Sequence, residues 1–205
     1  MPGGRRGRLL KRFRWRSTRI RIPWCGCRRE TGCRFAYAVQ GAGRVAGKVD
    51  GSVISYPGAR ESSDLELIAG SESVKETLVL KGKGAPTQWS FPLALEGLTA
   101  RLDGLGGVEF VDLKGNRRAW MPPGWMEDSH LAENANEGAV SSGVGYSLTE
   151  EAGRQVLVVT LDEAWLNDPE RVFPVRVDPS VSGSVRRPVP MSSTRTPRTS
   201  PVTRF

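Results

Sequence analysis

The chain has 205 residues, 38% of them hydrophobic, and carries 30 Lys/Arg against 22 Asp/Glu for a formal net charge of +8. No apolar run approaches the ~20 residues that a membrane-spanning helix needs, so a helical span is excluded. The length fits one or two domains with room for a hydrophobic core.

The charge is unevenly spread. Residues 1–34 carry twelve Lys/Arg against Glu30 alone, and residues 186–205 carry five Arg and no acid. Residues 35–185 carry thirteen Lys/Arg against twenty-one Asp/Glu. The positive net charge therefore belongs to the ends, and the middle is acidic.

Residues 1–45 are expected to form a basic, Cys-containing, disordered segment that buries nothing. Phe13, Trp15, Ile20 and Ile22 alternate with arginine, which is compatible with a short amphipathic strand. An arginine-rich arm that binds phosphates, with Trp15 and Trp24 for stacking, is the functional alternative. A third reading is a non-native segment, because Arg, Gly, Pro, Cys and Trp without acids is what an unintended reading frame of GC-rich DNA gives. Only Leu9-Leu10 stands in for the apolar part of a signal peptide, so none is expected. Cys25, Cys27 and Cys33 offer three soft ligands where zinc takes four. The lone histidine, His130, lies in a different segment, so no metal site and no cofactor are expected, and the thiols are read as unpaired.

Residues 46–182 read as a β-rich module. Val53-Ile54-Ser55-Tyr56 is a strand stopped by Pro57-Gly58. Asp64–Ala69 alternates with Leu65 and Leu67 on one face, and pairs with Val74–Leu80 across Gly70-Ser71 as a hairpin. Trp89–Leu95 is a strand whose Pro92 belongs on an edge or at a bulge, since proline cannot donate to a ladder. Val108–Leu113 and Arg117–Met121 form a hairpin around Lys114-Gly115-Asn116. Residues 127–142 are a polar loop. Val144–Thr149 and Val156–Leu161 form a third hairpin across Glu150–Arg154. Asp162 caps one helical turn that ends before Pro169. Val172–Val177 closes the module, with Asp178-Pro179 as its stop. Short strands, regular turns and almost no helix predict an all-β fold: a sandwich-like or meander array of antiparallel hairpins. Residues 183–205 are expected to be a disordered tail rich in Arg, Pro, Ser and Thr.

Several motifs occur in order: Tyr56-Pro57-Gly58, Asp64-Leu65-Glu66-Leu67, Val74–Leu80, Trp89-Ser90-Phe91-Pro92-Leu93, Trp125-Met126-Glu127-Asp128, Trp165–Pro169 and Arg171–Pro179. This series resembles the β-rich segment near the N-terminus of large secreted, wall-associated Rhs/YD-repeat proteins of actinobacteria and other Gram-positive bacteria. The resemblance covers about residues 46–182. It implies a non-catalytic structural or interaction module, secreted or cell-wall associated, with wall glycan or downstream repeat domains as partners and no specific nucleic acid. The family's DNRLRE domain and YD repeats do not follow here, so a truncated fragment is expected. The alternatives are an arginine-rich nucleic-acid-binding protein and a hydrolase or glycan-binding module acting on wall polymers.

No catalytic residue is singled out, and no enzyme activity is expected. His130 sits beside Asp128 and Ser129, but triads are defined by geometry rather than adjacency. Glu127 and Asp128 could pair with Asp162, Asp168 or Asp178 in glycosidase fashion, yet no spacing selects a pair. The same carboxylates lack the spacing of a calcium loop. Among Trp89, Trp120, Trp125 and Trp165, core packing is the general expectation. Trp125, between Pro-Pro-Gly and Glu-Asp, is the residue expected to be exposed and to stack on a glycan.

Overall fold

In this computed structural model the described residues are 21–24, 33–69, 74–130 and 138–179. Trp15, Cys25, Cys27 and the expected tail at 183–205 lie outside them. The chain runs β1 (Arg21–Trp24), β2 (Arg34–Ala38), β3 (Lys48–Asp50), β4 (Val53–Arg60), β5 (Ser63–Ala69), β6 (Val74–Leu80) and β7 (Gln88–Glu96). It continues through β8 (Leu98–Leu102), β9 (Val108–Asp112), β10 (Arg117–Met121), β11 (Gly124–Glu127), β12 (Val140–Glu151) and β13 (Arg154–Leu161). The short helix α1 (Glu163–Asn167) and strand β14 (Val175–Asp178) complete it. The fold is all-β, as its alternating sequence requires.

Eleven strands form one antiparallel sheet in the order β1-β2-β7-β13-β12-β11-β14-β6-β5-β4-β3. This sheet curls into a half barrel. The other three form a meander, β10-β9-β8. The small sheet packs against the long one: Phe110 of β9 stacks on Phe35 of β2 at 4.5 Å. Gln155 of β13 clamps β8 by accepting from the Ala100 amide and donating to its carbonyl, both at 2.9 Å. One buried cluster joins the two sheets, with Trp89, Phe91, Phe110, Leu65, Leu78 and Met126 at its centre.

The three hairpins expected from the sequence are present as β5–β6, β9–β10 and β12–β13. The last is longer than its apolar run, because its turn is Ala152-Gly153 with both φ positive, at 50° and 73°. That is the backbone sense that suits the twist of a tight hairpin. Asp162 caps α1 by accepting from the amides of Ala164 and Trp165 at 2.9 and 3.1 Å.

Strand β9 is held between two turns of the same build. Asp103 accepts the Leu105 and Gly107 amides at 2.7 and 2.8 Å. Asp112 accepts the Lys114 and Asn116 amides, each at 2.9 Å. Both carboxylates also take a donor from β10: Trp120 Nε1 on Asp103, and the Arg118 guanidinium on Asp112.

Two expectations need revision. Pro92 is on an interior strand rather than an edge. It sits where β7 changes partners: residues 88–92 pair with β13 and residues 93–96 with β2. The missing N–H thus falls at a handover between ladders. The packed unit also starts before residue 46. Cys33, Phe35, Tyr37 and Val39 are buried in the core, and the Cys33 thiol donates to the Gly97 carbonyl at 3.6 Å. The run Phe35-Ala36-Tyr37-Ala38-Val39 alternates in period two, so it supplies a core-facing strand even though a basic stretch precedes it.

Replacing Phe35 with Ala should cost about 3–5 kcal/mol in urea-induced unfolding, the range for deleting a buried aromatic. A residue in an unpacked tail would cost under about 0.5 kcal/mol.

Candidate functional site

Where β11 ends, the chain places Asp128 in a fully occupied position. One carboxylate oxygen accepts the His130 and Ala139 amides at 3.0 and 2.8 Å. The other accepts Arg171 Nη1 at 2.6 Å and the Val172 amide at 3.3 Å. The Arg171 side chain is only 8% exposed, and its guanidinium carbon lies 3.7 Å from the centre of the Trp165 ring. Its Nε donates to the Trp165 carbonyl at 3.2 Å. Burial alone would raise the Asp128 carboxyl. The three amides and Arg171 outweigh it and hold the group below the usual carboxylate range.

A carboxylate so saturated has no lone pair left for a metal or a reacting proton. Its work is to tie the loop after β11 to the segment between α1 and β14. Ser129 Oγ donates to the Pro174 carbonyl at 2.6 Å, and His130 is exposed. Ser129, His130 and Asp128 therefore do not assemble as a triad.

Each of the other candidate carboxylates has a partner of its own. Glu127 accepts the Gly138 amide at 3.1 Å. Asp162 is the helix cap, and Asp168 accepts the Glu170 amide at 2.8 Å and lies 4.0 Å from Arg171. Asp178 pairs with Lys75 at 2.7 Å. Among the described residues no group of three His, Cys, Asp or Glu could hold a metal ion.

Trp125 stands on the outer face of the long sheet and is 37% exposed. Its β-partner across the ladder is Asp178, and Lys75 Nζ lies 5.7 Å from its ring centre. The sequence placed this side chain at the surface. Beside it run two ion pairs, Lys75–Asp178 at 2.7 Å and Arg176–Glu66 at 2.8 Å, so both of these cations are matched by an acid. Trp89, by contrast, is fully buried, and Trp120 and Trp165 are partly buried, Trp120 donating to Asp103 and the Trp165 ring lying against the Arg171 guanidinium.

A separate cleft of about 210 Å³ opens between the β6–β7 connection and α1. Leu80, Ala85, Leu166 and Phe173 line it. At its rim Thr87 donates to Glu163 at 2.6 Å and Lys83 to the Asn167 carbonyl at 3.2 Å.

The interior of the curl holds a group the sequence reading missed. Glu76 is 2% exposed and lies among Phe35, Phe91, Leu93 and Phe110. Tyr37 lines the same interior space, and burial pushes the Glu76 carboxyl up to about 7. The signal was available: Glu76 occupies the same alternating phase as Leu78 and Leu80, where a core strand carries apolar residues. Arg171 gave no comparable signal, because its partners lie 43 residues back at Asp128 and six residues back at Trp165.

No family model matches the chain, and no solved structure matches it. Three proteins are similar over 138 residues, 67% of this chain. The tRNA nuclease WapA of Bacillus subtilis strain 168 is 38% identical. The tRNA(Glu)-specific nuclease WapA of Bacillus subtilis subsp. natto is also 38% identical. The tRNA3(Ser)-specific nuclease WapA of Bacillus spizizenii is 37% identical. The chain spans 6% of the length of each of these relatives.

These names correct the resemblance drawn from the motifs. The relatives are named as tRNA nucleases, not as Rhs or YD-repeat proteins, and nothing supports the DNRLRE or cell-wall assignment. The expectations of a non-catalytic module, of no enzyme, and of no specific nucleic-acid partner are overturned with it. The short motifs identified a recurring β segment, but a segment of this size does not carry the name of the whole polypeptide.

Replacing Arg171 with Ala should cost about 3–5 kcal/mol in chemical denaturation, because it leaves Asp128 as a buried charge without its counterion. Trp125→Ala should change stability by less than about 1 kcal/mol, since that ring is on the surface.

Proposed function

We propose that this chain works in tRNA cleavage, as a segment of a nuclease similar to WapA, and that its arginine-rich ends take hold of RNA phosphates. The observation that carries this is the 138-residue similarity, at 37–38% identity, to three proteins all named as tRNA nucleases.

Charge supports the second half. Five cations on the described surface are matched by acids, in Lys75–Asp178, Lys81–Asp64, Arg101–Glu109, Arg118–Asp112 and Arg176–Glu66, and residues 35–185 carry twenty-one Asp/Glu against thirteen Lys/Arg. Such a surface offers little net positive field to a polyanion. The arginines of residues 1–34 and 186–205, where Glu30 is the one acid in the sequence, are where phosphate neutralisation would come from. Two relatives are named for different targets, tRNA(Glu) and tRNA3(Ser), yet this chain is 38% and 37% identical to them. Target choice then follows the rest of the relatives' length, and this segment serves what the nucleases share.

Binding of tRNA by the full chain should weaken at least about tenfold between 50 and 200 mM salt. Deleting residues 1–32 and 180–205 should remove most of that binding and flatten the salt dependence. Exchanging the matched segment of Bacillus subtilis WapA for that of this chain should preserve tRNA cleavage. Equal binding by the trimmed chain would refute the role of the ends. A folded but inactive chimaera would refute the role in cleavage.

A further inference from the structure

Outside the small sheet, the middle of the chain is acidic. Residues 98–121, which span β8, β9 and β10, carry four Lys/Arg against three Asp/Glu, while the rest of residues 35–185 carries nine against eighteen. A polyanion that approaches the fold is therefore repelled least here. One face of this sheet is spent on the core, where Ala100, Phe110 and Ala119 are buried. Alternation turns their neighbours to the other face. There Trp120 pairs with Glu109 across the ladder, and Glu109 with Arg101, so these three form one row over the sheet.

Two groups attend the Trp120 ring. Its Nε1 donates to Asp103 at 2.9 Å, which holds the indole in one orientation. The Arg117 guanidinium carbon lies 5.6 Å from the ring centre. Arg171 lies 3.7 Å from the Trp165 ring, a closed contact by comparison. The wider spacing at Trp120 leaves the Arg117 head free to turn toward an anion. Arg101 and Arg118 are engaged by Glu109 and Asp112. Arg117 and Lys114 are exposed and take part in no ion pair among the described residues. β10 is the outer strand of its sheet, so no strand of that sheet lies beyond Arg117.

We propose that this face binds unpaired nucleotides of RNA, with a base stacked on Trp120 and the flanking phosphates on Arg117 and Lys114. This rests on the reading that the chain takes hold of RNA, and it assigns the folded domain a contact of its own. An oriented aromatic ring beside a guanidinium on an open sheet suits single strands, whose bases expose a face, and not a duplex, whose bases are already stacked. The acids beside the ring, Asp103 and Glu109, keep the local net charge low. The contact therefore works by stacking more than by field, and depends less on salt than the basic ends do.

The test is binding by the full chain of a single-stranded RNA of about ten nucleotides and of a duplex of about ten base pairs, at 50 and 200 mM salt. At the higher salt Trp120→Leu should weaken single-strand binding about fivefold or more, the loss of one stacked base, and Arg117→Ala about threefold or more. Neither should change duplex binding by more than about twofold, and Trp120→Phe should stay within about threefold of the unmodified chain. Ultraviolet crosslinks to the single strand should include β10. Arg117→Ala alters only an exposed side chain, so it carries the test even if Trp120→Leu does not fold. Single-strand binding unchanged in Arg117→Ala or in folded Trp120→Leu, an equal loss on the duplex, or crosslinks confined to the basic ends would each overturn the proposal. If these variants match an unmodified chain whose binding falls steeply with salt, this face is refuted and the role of the ends stands. If the unmodified chain binds neither RNA, both fall.

Discussion

A sheet that curls without closing leaves an apolar interior that its own strands cannot seal. The rest of this structure depends on how that interior is filled. The three-stranded meander supplies the filling, through Phe110 stacked on Phe35 and through Gln155, which satisfies the Ala100 amide and carbonyl. Without these contacts the aromatic side chains of β2 and β7 would face water. The apolar area involved is what makes a core of this size stable.

That arrangement explains why strand β2 belongs to the domain. Its alternating Phe35 and Tyr37 complete one wall of the interior, and its ladder begins where Pro92 ends the pairing of β7 with β13. Proline is tolerated there because the strand changes neighbours at that point. Local chemistry and sheet order are consistent with each other, as a well-specified fold requires. At the other end of the domain, Asp128 and Arg171 do similar work by ionic means. They fix the connections around β11 and β14, two strands of only four residues each.

Much of the fold was legible in the sequence because period two is a strong signal. The hairpins β5–β6, β9–β10 and β12–β13, the cap at Asp162 and the exposure of Trp125 all followed from alternation and turn residues. What escaped has a physical reason in each case. The arginines before residue 34 masked the start of the core, since composition averages over a boundary that Phe35 and Tyr37 mark individually. Ala152 is not a recognised turn residue, so the full reach of β12 and β13 was hidden. Glu76 was passed over because a charged residue in a strand is normally assigned to solvent. Arg171 joins residues far apart in the chain, which no local pattern encodes. Function was the least legible of all, because the motifs belong to a segment that is 6% of its relatives.

The two aspartate turns at the ends of β9 have a mechanical consequence. Each returns the chain over the same five-residue path, from Asp103 to Gly107 and from Asp112 to Asn116, with the carboxylate bonded to the amides two and four positions on. Together they act as end stops on a ruler. The strand between them has a set length, so Phe110 cannot slide along its neighbours to find another contact. An added residue in either turn would shift the plug by one position and turn its aromatic away from Phe35. The two turns, rather than the strand, are where this domain would be least tolerant of insertion.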